Sequence, residues 1–193
     1  MGKYLFFDID GTLAGKSRRI TDGTKRAVNR AREMGHKVFV CTGRVPASIA
    51  GDVTELETDG TISGAGSFVE IESRYIFEHY MEPLLIEQVM ALFWKNRIQF
   101  TLEAKDMIYQ TSGAMKFFEQ KEIKRMQNNP ELIRYWEQIK RKERIQPVES
   151  FDIAKTGVAK MCFIADHMDQ INGCRPFLEK YFHVVLFSGK EDP

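Results

Sequence analysis

The feature that most constrains this chain is a pair of short apolar runs, each breaking off into a polar cluster. YLFF at residues 4–7 leads into Asp8-Ile9-Asp10-Gly11-Thr12-Leu13, and VFVC at residues 38–41 leads into Thr42-Gly43-Arg44. Runs this short and this apolar read as buried strands. Between them, Thr21 or Asp22 is placed to cap a helix reaching about Met34. Ala27, Val28, Ala31 and Met34 give that helix one apolar face, and Gly35 suits its exit. Strand, helix and strand in close succession make a βαβ unit, which requires parallel strands and a right-handed crossover. Ligands of open parallel sheets sit beyond the carboxyl ends of the strands. Both polar clusters fall at such ends and are expected to face one crevice.

The pattern continues with a short helix near 47–53, a turn at Asp59-Gly60 and a strand over 61–63. Two strands, 68–71 and 75–77, form a hairpin around Ser73-Arg74. From Pro83 the character changes. An amphipathic helix over 84–95 precedes strands at 98–102 and 107–109, then charged helices at 115–126 and 131–142. A strand at 158–164, a helix at 169–181 and a last strand at 184–187 complete the pass. The chain therefore divides into an α/β part, residues 1–82, and a second α/β module, residues 83–193.

Charge and cysteine usage exclude some classes. Lys and Arg total 28 against 27 Asp and Glu, so no net field draws the chain to nucleic acid or an acidic membrane. Cys41, Cys162 and Cys174 are odd in number, widely spaced and without a CxxC, which argues against a disulfide framework or zinc site and for a reducing cytoplasm. No apolar run approaches the roughly 18 residues of a membrane span, and the N-terminus lacks a signal-peptide core.

Side chains at i and i+2 on an extended chain point the same way, so Asp8 and Asp10 converge just past the first strand. Two such carboxylates repel unless a cation or a shared proton relieves them, and Mg2+, a hard ion that takes oxygen ligands, fits. Gly11 permits a sharp turn and brings backbone N–H groups near an anion. Thr42 adds a hydroxyl and Gly43 an N–H at the neighbouring strand end. Carboxylates, a divalent cation, backbone donors and a hydroxyl suit phosphoryl transfer through an aspartyl-phosphate.

DIDGTL at residues 8–13 resembles the first motif of the haloacid-dehalogenase-like phosphatases, and VFVCTGR at 38–44 resembles their second. GAGSFVEI at 64–71 and KMCFIAD at 160–166 look like segments of the Cof-type subgroup, which carries an α/β cap. The resemblance implies an α/β fold: a Rossmann-like parallel-sheet core, here incomplete, with the module from residue 83 as inserted cap. It implies Asp8 as nucleophile, Asp10 as general acid/base, Thr42 and Gly43 as phosphate ligands, and Mg2+ held by Asp8 and Asp10, the latter through its backbone carbonyl. The expected reaction is hydrolysis of a small phosphomonoester, a sugar phosphate or nucleotide-like metabolite. The alternatives are phosphomutase-like transfer or a truncated, non-catalytic relative.

The family's third-motif lysine and fourth-motif acidic residues normally follow the cap. Lys190 and Asp192 read as a turn of the cap instead, so the expectation is a fragment or a natural truncation. No nucleic-acid or membrane partner is expected, and an incomplete sheet with open edges invites association. Arg44 is assigned no function, reading as a surface or structural ion-pair residue. The basic stretches at 121–125 and 140–142 read as solvated helix faces.

Overall fold

The computed structural model describes residues 2–15, 19–126 and 144–186. The expected helix over 131–142, the cluster at 140–142, and Lys190 and Asp192 lie outside the described residues. The βαβ unit forms as the sequence dictates. β1 (Tyr4–Phe7), α1 (Asp22–Glu33) and β2 (Lys37–Cys41) lead into β3 (Gly60–Ser63), β4 (Phe68–Ile71) and β5 (Arg74–Glu78). Their sheet has the order β1-β2-β3-β4-β5. β1, β2 and β3 run parallel, and β4 and β5 return antiparallel.

Helix α1 begins where Thr21 Oγ1 accepts the Thr24 N–H at 3.1 Å, with Asp22 in the first turn and Arg30 and Arg32 in the last, both complementing the helix dipole. Its buried Val28 packs with Ile9, Leu13, Val38 and Val40, against which Leu5 and Phe7 of β1 also rest. The alternate residues of β1 depart from the expectation of a wholly buried strand. Tyr4 is 70% and Phe6 55% exposed, and both rings lie against Phe39 of β2. Only the face under α1 is covered at β1 among the described residues.

Asp59 fastens the entry to β3 onto the start of β2. Its carboxylate accepts the Val38 N–H at 2.9 Å, the Lys37 ammonium at 2.9 Å and Arg32 Nε at 3.3 Å. Burial alone would raise its pKa. The Val38 N–H and the two cations outweigh that and hold it below its ordinary value of 3.8. The helix expected near 47–53 is instead two short 3-10 turns, Pro46–Ser48 and Gly51–Glu55. The β4–β5 turn is made by Glu72 and Ser73, both at positive φ, one residue ahead of the expected position.

The second unit holds α2 (Pro83–Lys95), β6 (Gln99–Ala104), β7 (Ile108–Gln110), α3 (Ser112–Met126), β8 (Ile145–Pro147) and β9 (Val158–Ile164). Its sheet has the order β8-β7-β6-β9, with β6 antiparallel to both neighbours. β8 is a strand that sequence patterning missed, being only three residues long and half proline-bounded. Ile86, Val89 and Phe93 of α2 bury against Phe100 and Leu102 of β6, together with Cys174 and Leu178. The helix expected over 169–181 is two, α4 (Met168–Asn172) and α5 (Arg175–Tyr181). Pro176 cannot donate to the preceding turn and forces the break. Of the strand expected over 184–187, residues 184–186 are not strand, and 187 lies outside the described residues.

The two units touch. Val45 and Phe68 of the first pack with Ile108 of the second, with Tyr75 and Tyr80 against them. Lys105 pairs with Glu78 at 2.7 Å and lies over the Tyr75 ring.

Candidate functional site

Asp8 follows directly on β1 and is exposed, as is Asp10, while Ile9 between them is fully buried. The alternation anchors the loop by its apolar residue and presents both carboxylates outward. A tight turn follows. The Asp8 carbonyl accepts the Leu13 N–H at 3.1 Å, and the Ile9 carbonyl accepts the Ala14 N–H at 2.8 Å. Gly11 sits at φ +87°, a conformation that favours glycine. Gly11 makes the sharp turn expected of it, and its own N–H closes that turn by donating to the Ala14 carbonyl at 2.8 Å.

The partner loop is built with equal economy. Thr42 is buried at 5% exposure, its N–H donating to the Ile62 carbonyl of β3 at 2.8 Å. The Thr42 hydroxyl oxygen accepts the Arg44 N–H at 3.2 Å. The Arg44 carbonyl accepts the Gly64 N–H at 2.7 Å, and the Thr42 carbonyl accepts the Ala65 N–H at 3.2 Å. Gly64 has φ +60°, and a Cβ there would stand 3.0 Å from the Phe68 ring. The GAG turn at the end of β3 is thereby the clamp that holds the Thr42-Gly43-Arg44 loop.

Two groups that patterning left without a role converge here. Arg44 grips Asp10 with both arms, Nη2 donating to Oδ1 at 2.6 Å and Nε to Oδ2 at 2.9 Å. Bidentate pairing of this kind is strong and fixes geometry. The motif context was the available signal, but the planar pairing itself needs the fold. Lys160, from β9, crosses between the units and donates to the Gly43 carbonyl at 2.7 Å. The same ammonium pairs with Glu103 of β6 at 2.9 Å. Burial alone would lower the Lys160 pKa, yet the Glu103 carboxylate outweighs it and holds it above the ordinary value. Burial and the adjacent Glu103 push the Cys162 thiol up to about 12, so it is an inert hydrogen-bond donor to Glu103 at 3.0 Å rather than a nucleophile.

The oxygen chemistry at the end of β1 fits a hard divalent cation. The Asp10 carboxylate is engaged by Arg44, so a cation there would use the Asp8 carboxylate and the Asp10 main-chain carbonyl. No group of three His, Cys, Asp or Glu side chains arranged for a metal occurs among the described residues. A cavity of about 590 Å³ lies elsewhere, over β2 and β3, lined by Val40, Ile49, Thr61 and Glu70. Its lining includes none of Asp8, Asp10, Thr42 or Lys160.

Comparison with known proteins agrees with this architecture. Over 109 residues the chain is 32% identical to "Putative phosphatase YkrA" of Bacillus subtilis, covering 56% of this chain and 42% of that one. A haloacid dehalogenase-like hydrolase structure from B. subtilis superposes with a TM-score of 0.72 at 15% identity, over 91% of this chain and 66% of the other. The subclass IIB sugar phosphatase BT4131 superposes with a TM-score of 0.62 at 21% identity, over 90% and 62%. The chain thus spans under two thirds of the length of each of these proteins. Residues 5–188 match the haloacid dehalogenase-like hydrolases, and the chain belongs to that family.

Proposed function

We propose that this chain carries the phosphoryl-transfer face of a phosphatase acting on a small phosphomonoester, with the module from residue 83 as its cap. One observation carries the reading. Two exposed carboxylates on one strand end stand beside a hydroxyl-bearing loop on the next parallel strand, and Arg44 ties the two loops together through Asp10.

The Asp8 carboxylate attacks phosphorus as the bond to the leaving-group oxygen breaks, and a proton from Asp10 neutralises that oxygen. Water then attacks the aspartyl-phosphate, gives its proton to Asp10, and releases inorganic phosphate. The Thr42 hydroxyl and Gly43 N–H bind phosphate oxygens. Arg44 begins on Asp10 and turns to the incoming phosphate, which frees Asp10 to carry the proton. Mg2+, when bound by Asp8 and the Asp10 carbonyl, supplies charge compensation between nucleophile and phosphate.

We take a reducing cytoplasm as the compartment, on the ground that Cys41, Cys162 and Cys174 are all free thiols. No helix among the described residues is long and apolar enough to cross a membrane. The test is phosphate release from an aryl phosphate with and without Mg2+, in the chain and its Asp8→Asn variant. Release that needs both Asp8 and the metal supports the reading. Release unaffected by the substitution refutes the mechanism, and phosphate passed to a second sugar rather than to water marks a mutase.

A further inference from the structure

The cavity of about 590 Å³ lies on the face of the first sheet that also bears α1. It follows β3 from Gly60 at its start to Ser63 at its end. Strand register builds its floor. Val40, Thr61, Glu70 and Tyr75 stand opposite one another on β2, β3, β4 and β5, so their side chains share one face. Ser63, two residues beyond Thr61, shares it too. The facing wall is apolar, because Ile49, Val53 and Leu56 pack with Val40 in the core of the first unit.

Folding does not account for every polar group on this floor. Ser63 is 2% exposed and lines the cavity, and no hydrogen bond among the described residues uses its hydroxyl. A polar group withdrawn from bulk water, unpaired, and set on the wall of a cavity points to a ligand. The Glu70 carboxylate takes one hydrogen bond, from the Tyr75 hydroxyl. Burial and this carboxylate push Tyr75 up to about 12, so it remains a donor. A carboxylate has about four lone-pair sites, and acceptor capacity remains on Glu70. The charge of the lining is one-sided. Arg32 is its one cation among the described residues, against Glu57, Asp59, Glu70 and Glu72. Arg32 is committed to Glu57 at 3.0 Å and to Asp59 at 3.3 Å. Two cations stand just outside: Lys37, held by Asp59 with Glu72 in its field, and Lys105, held by Glu78 against the Tyr75 ring.

We propose that this cavity is a ligand site separate from the strand ends, and that it takes a small organic ammonium with an apolar body, an alkyl or arylalkyl amine. The ammonium donates to Glu70, Thr61 and Ser63, and the body lies against Val40, Ile49 and Val53. Three N–H donors match a carboxylate and two hydroxyl oxygens. An anion of the same shape meets an excess of carboxylates and is turned away. The assignment does not rest on the phosphatase reading.

The test is isothermal titration of the 193-residue chain with phenethylamine, phenethyl alcohol and hydrocinnamate, which share a body and differ in their heads. Phenethylamine is expected to bind about tenfold or more tighter than the alcohol, and hydrocinnamate more weakly than either. Methylammonium, the head without the body, should bind about tenfold or more weaker than phenethylamine. Glu70→Gln should bring the amine down to the affinity of the alcohol and leave the alcohol within about twofold. Ser63→Ala should weaken the amine by about threefold or more without lowering the melting temperature, since no bond of the free protein is lost. A serine that only supports the fold would lower the melting temperature and leave the amine unaffected. Thr61→Val reports the same loss of amine affinity should Glu70→Gln unfold the chain. An amine that binds no tighter than the alcohol, a preference for hydrocinnamate, or an amine affinity indifferent to these substitutions overturns the proposal. So does an amine affinity abolished by Asp8→Asn, which would put the ligand on the strand-end carboxylates instead.

Discussion

The end of β1 and the polar face of β6 and β9 solve opposite problems. At β1 the two carboxylates proposed to carry the chemistry, Asp8 and Asp10, are close in sequence and lie exposed on a loop anchored by buried Ile9. On β6 and β9 the groups come from positions nearly sixty residues apart, Glu103 meeting Cys162 across the sheet, and they are largely withdrawn from solvent. The first arrangement needs only local geometry. The second exists only once two strands have paired in one register. Chemistry proposed at the first site should therefore respond to single side chains, and the arrangement at the second to the integrity of the sheet beneath it.

The sharpest way to break that contrast is Asp8→Asn. Turnover should fall by about a thousandfold or more while the melting temperature stays near that of the parent. A matching collapse in stability would make the loop structural instead. The converse experiment is Phe100→Ala, beneath the polar face. Phe100 is fully buried between Phe93 and Trp94, and its loss should cost about 3–5 kcal/mol in denaturant unfolding. Retained stability there would mean that the second unit's core does not depend on β6.

Arg44→Ala tests whether the two loops act together. It should lower kcat by about tenfold to a hundredfold and change the pH–rate profile, since Asp10 loses its fixed partner. An unchanged pH profile would leave Arg44 as a surface ion pair. Asp59→Asn probes the scaffold instead, removing an anion shared by Val38, Lys37 and Arg32, at a cost of about 1–2 kcal/mol near neutral pH. Because the folded-state pKa of Asp59 is depressed, its contribution is complete above the unfolded value of 3.8 and disappears as pH falls through the lower folded one. The difference between parent and variant should vanish in acid unfolding curves; a gap that persists there removes the carboxylate from the explanation. Smallest of all, Glu33→Ala severs an exposed pair with Arg30 and should shift stability by under about 0.5 kcal/mol.

Legibility followed the same divide. Strand, helix and turn around Asp8, Asp10, Thr42 and Gly43 were readable because hydrophobic periodicity, the Thr21 cap and strand-end polarity are properties of contiguous residues. Short or interrupted elements were not. Pro176 divided a helix that periodicity joined, and β8 is too brief to carry a pattern of its own. Arg44 read as a surface or structural ion-pair residue, and it is in an ion pair, but its partner, Asp10, is supplied by the neighbouring strand end and so was not legible in the sequence.

Sequence alone determined the parallel βαβ unit and the placing of two carboxylates and a Thr-Gly-Arg loop at adjacent strand ends, because a two-residue period and a capped amphipathic helix leave the chain little alternative. Tertiary structure alone decided what those groups touch: that Arg44 clamps Asp10, that the Gly11 N–H is spent within its own turn, and that Lys160 reaches Gly43 with Glu103 beside it. The physical reason is range. Backbone preference and burial pattern act over a few residues, whereas a directed hydrogen bond between distant side chains depends on strand order, register and the packing of one sheet against another.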